Sequence, residues 1–137
     1  MNVAEQMQDP LTPVEAYPGF EQVLSGLEMR AMLDYSLAHA LRSIPDHPPH
    51  YAAGILAAHG LPALARDFVA MSERVTALYR AAHNRCVSRT DAGAELSPGE
   101  MAAIQAYLEA ANQLRPIREL VNRIADAGAT LDFEVQA

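Results

Sequence analysis

Half of the chain's 137 residues are apolar, enough for one domain with a substantial core. A net charge of −7 weighs against a nucleic-acid-binding domain, whose affinity comes largely from Lys and Arg neutralising phosphates. No apolar run approaches the ~18 residues of a membrane span, and residues 1–10 lack the basic and apolar regions of a signal peptide. With a single cysteine, Cys86, these features point to a reducing, cytoplasmic setting.

All ten basic residues are Arg, a usage that matches GC-rich coding as well as a guanidinium-built surface. Residues 1–34 carry six acids against Arg30, and residues 91–137 carry eight acids against Arg115, Arg118 and Arg123. Between them, residues 62–90 hold five arginines against Asp67 and Glu73. A basic middle helix between acidic neighbours implies charge complementarity within the fold or a dimer.

In chain order, residues 1–19 contain Pro10, Pro13, Pro18 and Gly19 and few bulky apolar residues, which predicts a flexible arm. From Phe20 the apolar spacing is helical. Phe20, Leu24, Leu27 and Ala31 form one stripe and Leu33, Leu37, Leu41 and Ile44 a second, predicting one helix over 20–44 that wants two neighbours. Pro45, Pro48 and Pro49 stop it. The turn holds Asp46, His47 and His50, residue types that bind zinc, but the spacing supplies no third and fourth ligand. Residues 51–58 read as a short Ala-rich helix closed by Gly60, and Pro62 starts the next.

That next helix carries Leu64, Phe68, Met71, Val75, Leu78 and Ala82 at alternating spacings of four and three, a heptad seam. His83 and Cys86 share a face of it, and a packed thiol is the simpler reading of Cys86. The segment 96–128 then opens on Ser97, Pro98 and Glu100, the chemistry of a capping box with proline at the first helical position. Met101, Ile104, Leu108 and Ala111 keep one phase, and Leu114, Ile117, Val121 and Ile124 resume one step early. The slip falls at Pro116, which predicts a bend and two differently facing halves. Gly128 is expected to end the helix as a left-handed cap. Leu131, Phe133 and Val135 then alternate with acids, predicting an extended tail or short strand.

No glycine-rich phosphate loop, nucleophile elbow, paired-cysteine motif or zinc-protease motif occurs. His39, His59, Asp34 and Tyr35 could serve acid–base chemistry, but nothing in the sequence makes any two converge. A non-enzymatic protein without cofactor or metal is therefore expected.

Tyr107, Leu108, Glu109 and Ala110, followed by Leu114, Asn122, Ile124, Gly128 and Val135, resemble the C-terminal helix and tail of TraM-type quorum-sensing antiactivators. Gly60, Leu61 and Pro62, opening a long helix, resemble that family too. Pro116, the acidic tail and the additional helix over 20–44 depart from the family pattern. The resemblance spans at best residues 60–135. It implies a small helical dimer that binds a LuxR-type transcription factor and keeps it from DNA.

The expected protein is thus all-α, a small bundle of long antiparallel helices with a short extended C-terminal tail, built as an arm over 1–19 and one domain over 20–137. It is expected to form a homodimer and to sequester a protein partner, a LuxR-type regulator being the family-implied case. Dimer packing falls to Leu64, Phe68, Met71, Val75, Leu78, Leu108 and Ala111, and partner contact to Phe20, Leu24 and Leu27. Two alternatives stand beside it: a helical metal- or ligand-dependent enzyme or sensor using His47, His50 or His59, and an acidic decoy of a nucleic-acid-binding protein.

Overall fold

The computed structural model describes residues 13–87 and 95–136, with side chains through Gly128. They form an all-α bundle: α1 (Pro13–Ala16), α2 (Phe20–Leu33), α3 (Tyr35–Arg42), a 3-10 turn (Ile44–Asp46), α4 (Pro49–Ala58), α5 (Pro62–Val87) and α6 (Pro98–Gln136). The long α6 is the spine. It packs on α5, α3, α2 and α1 in turn, while α4 packs on α5.

Of the expected arm, residues 1–12 lie outside the described residues. From Pro13 the chain is folded: α1 makes one turn, and Tyr17 is buried with its hydroxyl donating to Asp67 Oδ2 at 2.7 Å. Burial, reinforced by the hydrogen bond to Asp67 and its carboxylate charge, pushes the Tyr17 phenol well above its ordinary pKa.

The helix expected over 20–44 is broken at Asp34, which is extended (φ −134°, ψ 101°). Its carboxylate accepts the Leu37 N–H at 3.2 Å and so caps α3. The break has a packing cause. The first stripe, Phe20, Leu24, Leu27 and Ala31, is buried in the chain's own core, but a straight continuation would not turn the second stripe onto α6. After the break Ala38, Leu41 and Ile44 are buried, and Leu33 is left outside.

The end of α4 follows its residue chemistry closely. Gly60 has φ +90°, its N–H bonds the Ala57 carbonyl, and the Leu61 N–H reaches the Leu56 carbonyl at 3.0 Å. This is a Schellman closure, with Leu56 and Leu61 both buried as its apolar contact. The capping box of α6 is likewise formed: Ser97 Oγ accepts the Glu100 N–H at 3.1 Å and Glu100 Oε1 accepts the Ser97 N–H at 2.8 Å.

The expected long helix carries Pro116 inside it, where one backbone donor is lost without ending the helix. It does not, however, end at Gly128. That glycine lacks the positive φ of a left-handed cap, and the helix continues to Gln136 in place of the expected strand or tail. A lone strand would leave its backbone groups without partners, whereas continuing the helix pairs them internally. Gly128 is needed for a different reason. A Cβ there would strike the Ala38 carbonyl oxygen and lie 2.9 Å from the Arg42 nitrogen, so α3 and α6 cross backbone to backbone at this point.

The two halves of α6 do face different neighbours. Tyr107 meets Tyr79 of α5 edge-on, with ring centroids 5.5 Å apart. Beyond Pro116, Leu120, Val121, Ile124, Ala125 and Ala127 are buried, and Arg123 Nη2 reaches Glu21 Oε2 of α2 at 2.9 Å. The Arg123 guanidinium also lies 5.2 Å from the centre of the Phe20 ring. Being half exposed, the ion pair adds little stability, while the helices it bridges are held by the apolar stripe.

Candidate interaction surfaces

Phe20, Leu24 and Leu27, expected at a partner surface, are buried in the chain's own core. Their helix exposes the opposite face. Met29, Met32 and Leu33 are 69%, 53% and 91% exposed, and Tyr35, the first residue beyond the break, is 64% exposed. Residues 29, 32 and 33 stand at i, i+3 and i+4, so they share one face of the last turn of α2. Asp34 turns the chain there, producing an apolar knuckle. The signal that could have located it is Asp34 itself, an N-cap residue inside an apparently continuous apolar pattern.

The expected dimer seam divides in two. Leu64 and Phe68 are buried within the chain, and Met71 and Val75 pack partly buried against the same core. Leu78 and Ala111 are half-buried, and Leu108 is exposed. The reason is architectural. The first half of α5 is covered by α4 and α6, whereas α5 beyond Ser72 and α6 before Ala110 form an antiparallel hairpin in which only Ala82 and Glu100 are buried.

An apolar groove of about 230 Å³ runs along the hairpin, lined by Tyr79, Ala82, His83, Cys86, Ile104, Tyr107 and Leu108. Tyr79 stacks on His83, with centroids 5.8 Å apart, and Cys86 is half-buried beside them. The α5 side of the hairpin carries Arg74, Arg80 and Arg85 against Glu73, and the α6 side carries Glu95, Glu100 and Glu109 with no cation before Arg115. The hairpin is therefore a dipole of charge across its width.

The histidines of the alternative reading are dispersed. His47 packs on Tyr51 with ring centroids 4.1 Å apart. His50 and His59 line a shallow depression with Tyr51 and Gly54 on the outer side of α4. Among the described residues, no group of three or more His, Cys, Asp or Glu side chains is placed to hold a metal ion. His50 also borders a depression of about 290 Å³ against α5, near the buried Ser72, whose hydroxyl has no hydrogen-bond partner in the described structure. Among the described residues, no helix is long and apolar enough to cross a membrane.

The geometry thus defines a small helical bundle with two exposed apolar surfaces, a form compatible with a protein–protein interaction module. No family model, curated protein or solved structure matches the chain.

Proposed function

We propose that this protein is a regulator that works by binding another protein through helix packing, without catalysis. The observation that supports the reading best is the knuckle of Met29, Met32, Leu33 and Tyr35, exposed apolar side chains at the end of a helix whose other exposed residues are polar or charged. Methionine side chains adapt to varied apolar surfaces, which suits a binding site made on the outside of a turn. Glu28 and Asp34 flank it with Arg30 alone opposing, so the fitting partner is an apolar segment flanked by basic residues. The DNA-binding region of a transcription factor has that character, and the resemblance to TraM-type antiactivators names the LuxR type as the first to test.

A homodimer built on the hairpin is a second part of the reading, favoured by its charge pattern. Two hairpins related by a two-fold axis would close their grooves on each other and set the basic helix of one beside the acidic helix of its partner. The expected dimer residue Leu108 lies in that groove, and Leu64 and Phe68 do not.

Co-purification with LuxR-type regulators tests the partner, with loss of operator binding as the functional readout. Met32→Glu combined with Leu33→Glu should abolish the complex while leaving the helical circular dichroism unchanged. Failure of every LuxR-type regulator to bind would remove that partner class. Solution mass tests the dimer: wild type should run at twice 14.8 kDa and Leu108→Glu at half of that. A wild type that stays monomeric at high concentration overturns the hairpin assembly.

A further inference from the structure

We propose that the cleft between the 3-10 turn, the start of α4 and the second half of α6 binds a small amphipathic carboxylate, its head held by Arg118 and Asn122 and its apolar body seated on Phe68 and Val121. The cleft has a volume of about 340 Å³, at the small end of the range for organic ligands. It is independent of the knuckle and of the hairpin groove, so it goes beyond the function proposed above.

The floor is apolar and fixed. Ile44, Phe68 and Val121 line it and belong to the core, 1%, 8% and 2% exposed. Pro45 and Pro49 form the walls and bring no backbone N–H of their own to it. The polar lining is His47, Arg118 and Asn122, of which His47 is half-buried and Arg118 and Asn122 are exposed. Residues 118 and 122 are one helical turn apart, with Val121 between them, so head and tail contacts come from a single rigid stretch of α6.

The charge at this rim runs against the rest of the molecule. In a chain with 17 acids, no Asp or Glu lines the cleft, and its charged or chargeable groups are the Arg118 guanidinium and the His47 imidazole. Neighbouring arginines are engaged elsewhere: Arg123 with Glu21, Arg115 with Asn112 and Arg66 with Asp67. Among the described residues, Arg118 and the Asn122 amide have no such partner, and the contact of His47 with Tyr51 leaves the imidazole nitrogens without a described one. Guanidinium donates two parallel N–H bonds to a carboxylate, and the Asn122 amide adds a third donor. An apolar body accounts for the buried floor, which a bare anion would leave wet.

Titration of the full chain with hexanoate, followed by backbone amide NMR shifts, tests the proposal. Hexanol, lacking the charge, and inorganic phosphate, lacking the apolar body, serve as comparators. Saturable shifts are expected at residues 44–49, 68 and 118–122, with hexanoate binding more tightly than either comparator. Arg118→Gln, an exposed position with no described structural partner, should weaken hexanoate binding about tenfold, the loss expected for one charge-assisted contact. Met32→Glu should leave it unchanged. The proposal is overturned if hexanoate produces no saturable shifts, if they cluster outside the cleft, if hexanol or phosphate binds as well, or if Arg118→Gln has no effect.

Discussion

Gly128→Ala sets two well-understood effects against each other, and the structure decides the sign. In a helix interior, alanine is favoured over glycine by about 1 kcal/mol, so propensity alone predicts a more stable protein. At Gly128 the added methyl would meet the Ala38 carbonyl oxygen and the Arg42 nitrogen, atoms of the α3 backbone that cannot rotate away as a side-chain tip would. The helices must separate, and the layer around Leu41, Ile124 and Ala127, all nearly or fully buried, loses contact. A radial gap of 0.5–1 Å forfeits a quarter to a half of each dispersion contact, and overpacked cores typically lose about 1–3 kcal/mol. Because the obstacle is backbone, the upper end of about 3 kcal/mol applies, and after the propensity gain of about 1 kcal/mol a net destabilisation of about 2 kcal/mol is expected. For 137 residues, that lowers the melting temperature by roughly 6–10 °C. Gly26→Ala is the internal control. It lies within α2 with nothing within 4 Å of the added Cβ, so it should stabilise by up to about 1 kcal/mol. Urea denaturation of the three proteins measures both changes under one set of conditions. A Gly128→Ala protein as stable as wild type, or more so, would refute the close crossing of α3 and α6.

Tyr17→Phe should cost about 1–2 kcal/mol by removing the hydrogen bond to Asp67, with a double-mutant cycle against Asp67→Ala showing strong coupling. Because the folded phenol titrates above its unfolded value of about 10, its contribution is complete below pH 10 and is lost as pH rises through the folded value; Tyr17→Phe should flatten that alkaline decline in urea titrations. Ser97→Ala removes one half of the capping box and should cost about 1 kcal/mol, read as a lower melting temperature. Ser72→Ala deletes a buried hydroxyl without a hydrogen-bond partner in the described structure and should leave stability unchanged or raise it by up to about 1 kcal/mol; a large loss would mean that the hydroxyl is satisfied in solution.

What was legible in the sequence was local. The Gly60–Leu61–Pro62 junction and the Ser97–Glu100 capping box could be read directly because a positive φ or a reciprocal hydrogen bond needs only neighbours in the chain. Gly128 is ambiguous in sequence because a glycine at a helix end and a glycine at a helix crossing look alike until the second helix is in place. The same limit applies to Phe20, Leu24 and Leu27: periodicity marks a face as apolar but does not say whether the chain's own α6 or another molecule covers it. The heptad seam of α5 is regularly spaced, yet its two halves differ in burial, a matter of helix length and placement that spacing does not encode. The cleft at Arg118 is the least visible, since its lining comes from three separated stretches of chain.

The turn at Asp34 shapes more than the path of the chain. A corner folded around a spine has an inside and an outside, and the residues on the outside diverge from one another as those on the inside converge. Leu33 stands on that convex edge, where no further segment of α2 or α3 can reach back over it. A flat apolar face can be covered from one direction only, but a convex one can be gripped from both flanks, as a bolt head is by a wrench. The natural counterpart of such a corner is a notch, and under the proposed function the shape to look for in a partner is a V between two helices wide enough to straddle Leu33.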